Sequence, residues 1–335
     1  MALAGGGTDL EPYWSKYGGV VLNATIDQYA YCKIEPCVCN HEKCWSFKSV
    51  DLGIEERHDF YSTPFMQGEY VDSDLQLLVN AYQYLTAKTD RHPVKITTYV
   101  EAPPGSGLGS SSALVVALIA AIAEYHKIPL GEYDIAEYAV EIERKICDMP
   151  GGKQDQFAAA FGGFNFTEFL EDGRTIVNPL RLNYKTQNMM ELSTVLYYVG
   201  KPRADSRVIE NTAKGLVDSE VVLNATHKIK EACMEYKRSL LTGDFKRISE
   251  LMETYWRSKL ETNPHVASPE ILDAYEYALQ NGATGAKISG AGGGGHMVLF
   301  TEFERRHELI TALKEKEGRV VPFKFVKHGV DVWRQ

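Results

Sequence analysis

The segment PPGSGLGSSSA, residues 103–113, runs without a break into the apolar stretch LVVALIAAIA. Glycine at 105, 107 and 109 opens left-handed backbone conformations, and three serines then lead into a helix-length apolar run. A β-rich segment, VKITTYVEA at 94–102, precedes it directly. Strand, glycine-rich loop and all-round apolar helix in that order demand a layered fold, with the helix buried against a sheet. The loop also has the chemistry of an anion cradle, with unobstructed N–H groups at the positive end of a helix. A serine hydroxyl in it suits Mg2+, which prefers oxygen donors. A structural turn with a serine N-cap fits the same residues.

The length of 335 residues accommodates two domains. The longest apolar run, residues 113–123, falls short of the roughly 18 residues that a membrane span needs. A net charge of -9 argues against general nucleic-acid binding, so an anionic small molecule needs a local positive pocket. The opening MALAGGGTD has neither a basic flank nor a long apolar core, which points to a cytoplasmic protein. Cys37, Cys39, His41 and Cys44 stand close in sequence. Their spacing is not a common zinc pattern, and they read as reduced thiols in a strand and turn.

Strand composition marks VVLNATIDQYAYCKI, and helices are expected at 112–127, ended by Pro129, and at about 134–146. MPGGKQDQFAAAFGG reads as a loop entering a short helix, followed by the strand FNFTEF. A polar stretch at 180–191 places a domain boundary, dividing the chain into 1–183 and 184–335. The second part reads as strand STVLYYVG, helices over 206–260 broken at Gly243-Asp244, a helix started by Ser268-Pro269, the strand HMVLF, a helix and the strand VVPFKFV. That order suggests an α+β layer with helices on one face.

Gly290 to Gly295 formally fits G-x-G-x-x-G, but a strand follows where a dinucleotide site requires a helix. No G-x-x-x-x-G-K-[ST] occurs. The glycine-dense segments AGGGTD (4–9), 105–112 and 290–295 are far apart and suggest convergence on one ligand. Phosphoryl transfer needs a metal-holding carboxylate and a group that orients the attacking hydroxyl. Glu143, with Glu141 as its rival on another helix face, and Asp155 in GGKQDQ are the candidates.

PPGSGLGSSSA, the GGKQDQ segment and KISGAGGGG resemble the three motifs of the GHMP kinase superfamily, in order and spacing over nearly the whole chain. AGGGTDLEPYWSKYGGVVLNATIDQYAY and GGKQDQFAAAFGGFNFTEF are similar to the bacterial D-glycero-D-manno-heptose 7-phosphate kinases within it. The resemblance implies an α+β, two-domain GHMP kinase fold, with an N-terminal ribosomal-S5-like domain and a C-terminal ferredoxin-like α/β layer domain. It implies ATP and Mg2+ as cofactors. Pro104, Gly105, Ser106, Gly107, Leu108, Gly109, Ser110, Ser111 and Ser112 would wrap the ATP phosphates, with Ser111 (Ser110 next) and Glu143 on Mg2+. Asp155 would orient the sugar hydroxyl, and Gly7, Thr8, Asp9, Gly292 and Gly293 would meet nucleotide and sugar. The implied reaction phosphorylates the anomeric hydroxyl of a heptose 7-phosphate, giving a 1,7-bisphosphate for nucleotide-activated heptose and surface glycan synthesis.

Arg203, beside Lys201 and Arg207 after a strand, is the candidate for the sugar phosphate, because arginine grips phosphate bidentately. Lys153 is a second source of positive field. A fucokinase-like free-sugar kinase is the alternative substrate reading. The superfamily carries a basic residue shortly before the first glycine motif, and Met1-Ala2-Leu3 hold none, which keeps a catalytically silent sugar and nucleotide sensor as the alternative of another class. The expected partners are ATP and a sugar phosphate, with no nucleic acid and no membrane; a homodimer is compatible with the sequence.

Overall fold

In the computed structural model, which describes residues 1–37, 44–59, 72–87, 89, 92–200 and 206–334, the described strands form three four-stranded sheets. The first runs in the order β1 (Ala2–Ala4), β2 (Gly19–Ala24), β7 (Phe164–Phe169), β8 (Thr175–Pro179), antiparallel throughout. The second has the order β3 (Ala30–Pro36), β6 (Val94–Val100), β4 (Cys44–Ser49), β5 (Ile54–Asp59), with β4 and β6 parallel. The third is the antiparallel array β10 (Ala283–Ile288), β11 (His296–Thr301), β9 (Thr194–Tyr198), β12 (Arg319–Val321).

The helices are α1 (Glu11–Tyr17), α2 (Gln76–Thr86), α3 (Ser110–His126), α4 (Glu132–Glu141), α5 (Gln154–Phe161), α6 (Tyr184–Ser193), α7 (Ser206–Asp218), α8 (Glu220–Thr242), α9 (Phe245–Thr262), α10 (Pro269–Gln280) and α11 (Arg306–Leu313). Helix α3 is the apolar helix expected after the glycine-rich loop. It is buried on most of its circumference, with Ile119, Leu118 and Ile122 fully covered among Trp45, Phe47, Tyr82, Ile96 and Phe157. Each such aliphatic side chain contributes about 1.5–3 kcal/mol by leaving water, which anchors the loop's far end rigidly. The helix starts at Ser110, two residues before the sequence suggested, and Lys127 in a left-handed conformation (φ 58°) closes it ahead of Pro129. The Ile128 N–H caps the Ala123 carbonyl at 2.8 Å.

Side chains on the third sheet alternate between two cores. Val195, Tyr197, Met297 and Leu299 pack with α10 and α11, so that with α8 and α9 on the other side the sheet carries helices on both faces rather than the one expected. Leu196, Val298 and Phe300 face the opposite way, into a core shared with Leu3, Val20 and Leu22 of the first sheet and with Tyr236, Leu240, Ile248 and Leu251 of α8 and α9. A single apolar layer therefore ties the two parts of the chain together, and the residues after β12 reinforce it. Val326 donates to the Thr25 carbonyl at 3.0 Å, and Phe325 packs on Phe164.

One segment gains a helix and one local expectation changes. Residues within the polar stretch 180–191 form α6, started by Asn183, whose side chain accepts from the Thr186 N–H at 2.8 Å. Cys44 is in a disulfide rather than a free thiol; Cys37, just after β3, remains a thiol whose sulfur lies 3.3 Å from that of Cys44. Cys39 and His41 lie outside the described residues. Among the described residues no three His, Cys, Asp or Glu side chains are grouped to hold a metal ion.

Candidate active site

The glycine-rich loop leaves the first turn of α3 without a side-chain cap. Its N-cap is Gly109, left-handed at φ 74°, and Gly105 and Gly107 are left-handed too. The alternative of a serine-capped turn is thus not what the structure contains. The serine hydroxyls do something else: Ser111 Oγ donates to Glu143 Oε1 at 2.7 Å, and Ser112 Oγ to Glu143 Oε2 at 2.8 Å. Ser110 Oγ is turned back toward the Pro103 carbonyl at 3.5 Å.

Glu143 reaches these hydroxyls because α4 widens into a π-helical turn, Ile142–Ile146, at this point. A π turn inserts a residue into the helical repeat and re-aims the side chains that follow, and it recurs at functional sites. Glu143 is 1% exposed. Gln156 Nε2 adds a third donor at 2.5 Å and the Arg144 guanidinium lies 3.9 Å away. Its rival, Glu141, forms a solvated pair with Lys145 instead. Arg144 also holds the next loop, through the Gly152 carbonyl at 3.0 Å and the Met149 carbonyl at 3.2 Å.

That loop delivers three consecutive residues to three different partners. The Gln154 N–H donates to Asp9 Oδ2 at 3.2 Å, Asp155 lies against Gly109, and Gln156 binds Glu143. A Cβ on Gly109 would stand 3.0 Å from the Asp155 carboxyl carbon, and one on Gly152 would stand 1.9 Å from Asp9 Oδ2. Glycine at both positions is what allows the carboxylates to approach the backbone. Burial, above all, pushes the Asp155 carboxyl up to about 6, with Asp9 and Glu143 acting in the same direction and the chain's amino terminus and Arg144 opposing them. A carboxylate poised near neutrality is suited to taking a proton.

Asp9 is 2% exposed and also accepts from the Gly7 N–H at 3.0 Å. Thr8 is placed differently from the expectation of a sugar contact. Its hydroxyl donates toward the Gly5 and Val20 carbonyls, at 2.9 and 2.7 Å, and accepts from the Val20 N–H at 2.9 Å. Fully buried, it fastens the first glycine motif to β2 and presents no atom to a ligand.

The third glycine motif meets the 105–112 loop directly. A Cβ on Gly290 would lie 2.8 Å from Gly107 Cα, and one on Gly295 would lie 2.4 Å from the Ser106 carbonyl oxygen. Ser289 Oγ donates to the Gly107 carbonyl at 2.8 Å; the His296 N–H donates to the Ser106 carbonyl at 3.0 Å, with His296 Nδ1 2.8 Å from the same oxygen. Gly292 and Gly293 pack on Val266, whose carbonyl accepts from the Gly293 N–H at 2.8 Å.

Two buried cations near these carboxylates were not expected. Lys287, on β10, is 1% exposed; its ammonium donates to the Ala2 carbonyl at 2.8 Å, and burial brings it down to about 7, with Lys259 lowering and Asp155 raising it. Lys259, on α9, is 5% exposed, lowered by burial and raised by Asp9. A periodic signal existed for the latter, since Ile248, Leu251, Met252, Tyr255, Lys259 and Thr262 lie along one buried helix stripe. Lys153, by contrast, places its ammonium 3.6 Å from the Trp14 ring centre and bonds the Gly173 carbonyl at 3.2 Å. Lys201 and Arg203 lie outside the described residues, and Arg207 is exposed at the start of α7.

A glycine-rich loop at a helix start, a serine–glutamate pair behind it and a buried aspartate against its last glycine are arranged as phosphoryl transfer would require. Residues 76–163 match the GHMP kinases N terminal domain and residues 236–319 the GHMP kinases C terminal domain. The chain belongs to the GHMP kinase family. It is 39% identical, over its whole length and 96% of the other chain, to the D-glycero-alpha-D-manno-heptose 7-phosphate kinase of Campylobacter jejuni. A solved D-glycero-D-manno-heptose 1-phosphate kinase from Bacteroides thetaiotaomicron superposes with a TM-score of 0.80 at 34% identity, covering 100% of this chain and 97% of that one. A sugar kinase structure from Campylobacter jejuni gives 0.78 at 37% identity, covering 100% and 96%. GHMP kinases use ATP, and no described helix is long and apolar enough to cross a membrane.

Proposed function

We propose that this chain transfers the γ-phosphate of ATP to the anomeric hydroxyl of D-glycero-D-manno-heptose 7-phosphate, giving the 1,7-bisphosphate. The full-length similarity to the Campylobacter jejuni enzyme supports the acceptor, and one observation carries the chemistry: Asp155, with its carboxyl pushed up to about 6, lies against Gly109 at the mouth of the phosphate loop. In this reading Asp155 takes the proton of the attacking hydroxyl as the oxygen bonds to the γ-phosphorus and ADP leaves. Residues 104–112 receive the phosphates by backbone donors at the helix start. Ser111 and Glu143 suit Mg2+, because a hydroxyl and a carboxylate oxygen already stand 2.7 Å apart. The bound ion would neutralise charge on the phosphates. Asp9 binds sugar hydroxyls, and Arg203 grips the 7-phosphate. Residues 1–183 and 184–335 form the two domains, with the nucleotide between them.

The relatives' names differ in the phosphate they specify, so acceptor identity is the point to test. Purified protein with ATP and Mg2+ is assayed against heptose 7-phosphate, heptose 1-phosphate, free heptose and free fucose. Turnover confined to the 7-phosphate supports the assignment; a preference for fucose or another free sugar overturns it. Binding of ATP and sugar without transfer would instead make the protein a sensor.

A further inference from the structure

Lys259 and Lys287 are both buried cations of the second half of the chain, yet they are satisfied differently. Lys287 is tied to the backbone through the Ala2 carbonyl and lies 5.1 Å from the Tyr255 ring centre. The Lys259 ammonium makes no hydrogen bond or ion pair with any described residue. An unpartnered buried charge is costly, and a second lysine nearby makes it costlier. A ligand that accepts from the ammonium would remove that cost.

The surroundings say which ligand. The Lys259 nitrogen lies 3.6 Å from the point a Cβ on Gly7 would occupy, and the Gly7 N–H donates to Asp9 Oδ1 at 3.0 Å. Lysine and aspartate thus flank the same glycine. A phosphate dianion there would meet the Asp9 carboxylate, whereas a neutral hydroxyl satisfies both groups at once by donating to the carboxylate and accepting from the ammonium. We infer that Lys259 is an acceptor-binding residue, donating to a sugar hydroxyl oxygen whose own proton is directed to Asp9. The inference rests on the kinase reading and names the residue that recognises the acceptor in it.

The test is Lys259→Met in the full chain, assayed on whichever acceptor of the sugar panel the wild type phosphorylates. Loss of a charge-assisted hydrogen bond should raise the acceptor KM by about 10-fold to 100-fold and leave the ATP KM within about twofold. Deoxy analogues of that acceptor then locate the contact: on one of them wild type and K259M should coincide. An unchanged acceptor KM, an equal rise in the ATP KM, or the same penalty on every analogue overturns the inference. Stabilisation of the variant by ATP against heating reports that it is folded; Lys259→Gln, neutral but polar, must show the same split if K259M does not fold. A wild type that prefers a free sugar sinks the heptose assignment while the Lys259 comparison proceeds on that sugar, so the two failures are distinct.

Discussion

Ser111 and Glu143, 32 positions apart in sequence, are joined by a 2.7 Å hydrogen bond between the first turn of α3 and the π-helical turn after α4. The bond brings together a hydroxyl and a carboxylate that neither helix offers alone. If the pair holds Mg2+, Ser111→Ala should raise the Mg2+ concentration for half-maximal rate by roughly 10-fold, since one oxygen ligand is lost. Glu143→Gln should lower kcat by at least about 100-fold at saturating ATP. Titration of activity with Mg2+ checks both, and a Ser111→Ala curve that overlays the wild type would remove the serine from the metal.

Asp155 should set the pH dependence if it is the base. A base must be ionised to accept a proton, so kcat/KM should climb with pH through about 6 and level off above it. Asp155→Asn should cut kcat by about 1000-fold while ATP binding persists. A stability effect accompanies it. Because the carboxyl is raised from 3.8 to about 6, the folded state holds its proton more tightly than the unfolded chain, and ionisation costs stability as pH rises through that window. Asp155→Asn should therefore unfold at a higher temperature than wild type at pH 8, with the gain, of order 2 kcal/mol, gone at pH 4; melting curves at the two pH values decide it.

Lys287 gives the opposite-signed ramp. Its ammonium is lowered from 10.5 to about 7, so the unfolded chain binds more protons between those values and stability should rise with pH across them. Lys287→Met should flatten that rise. A variant whose stability follows pH as the wild type does would show that the lysine is not the group responsible.

The loop-to-loop contact predicts a steric effect. A methyl on Gly107 would stand 2.5 Å from the Ser289 carbonyl oxygen, at a left-handed φ of 75°. Gly107→Ala should cost about 3 kcal/mol or more from clash and strain together and should raise the ATP KM. Gly53, left-handed but with nothing within 4 Å, is the control: its alanine variant pays only the backbone strain.

Much of this was legible because glycine and serine are informative where backbone must approach backbone. The loop at 104–112, the apolar α3 and Asp155 among small residues stand out from composition and order, whereas Glu143 is not separable there from Glu141. Burial of single charged residues is not written so plainly. Lys259 occupies an apolar helix stripe, and Lys287 a strand whose neighbours Ala286 and Ile288 are buried, but only the assembled core removes the water from both. The π turn has no residue signature either; it becomes visible when Glu143 is found facing Ser111 rather than solvent. Thr8 shows the converse ambiguity, since a hydroxyl in a glycine motif can serve ligand or backbone, and here it bonds the Gly5 and Val20 backbone.

The contact of Gly107 with Gly290, and of Ser106 with His296, carries a lesson for protein engineering. A natural crossover lies at residues 180–183, between β8 and α6. Exchanging the portions on either side with those of a relative nevertheless splits a seam in which backbone from each portion meets the other with no room for a Cβ at Gly107 or Gly290. Hybrids that inherit both glycine motifs from one parent should fold and bind nucleotide, while hybrids that mix them will need the 289–296 turn transplanted along with the 105–107 turn.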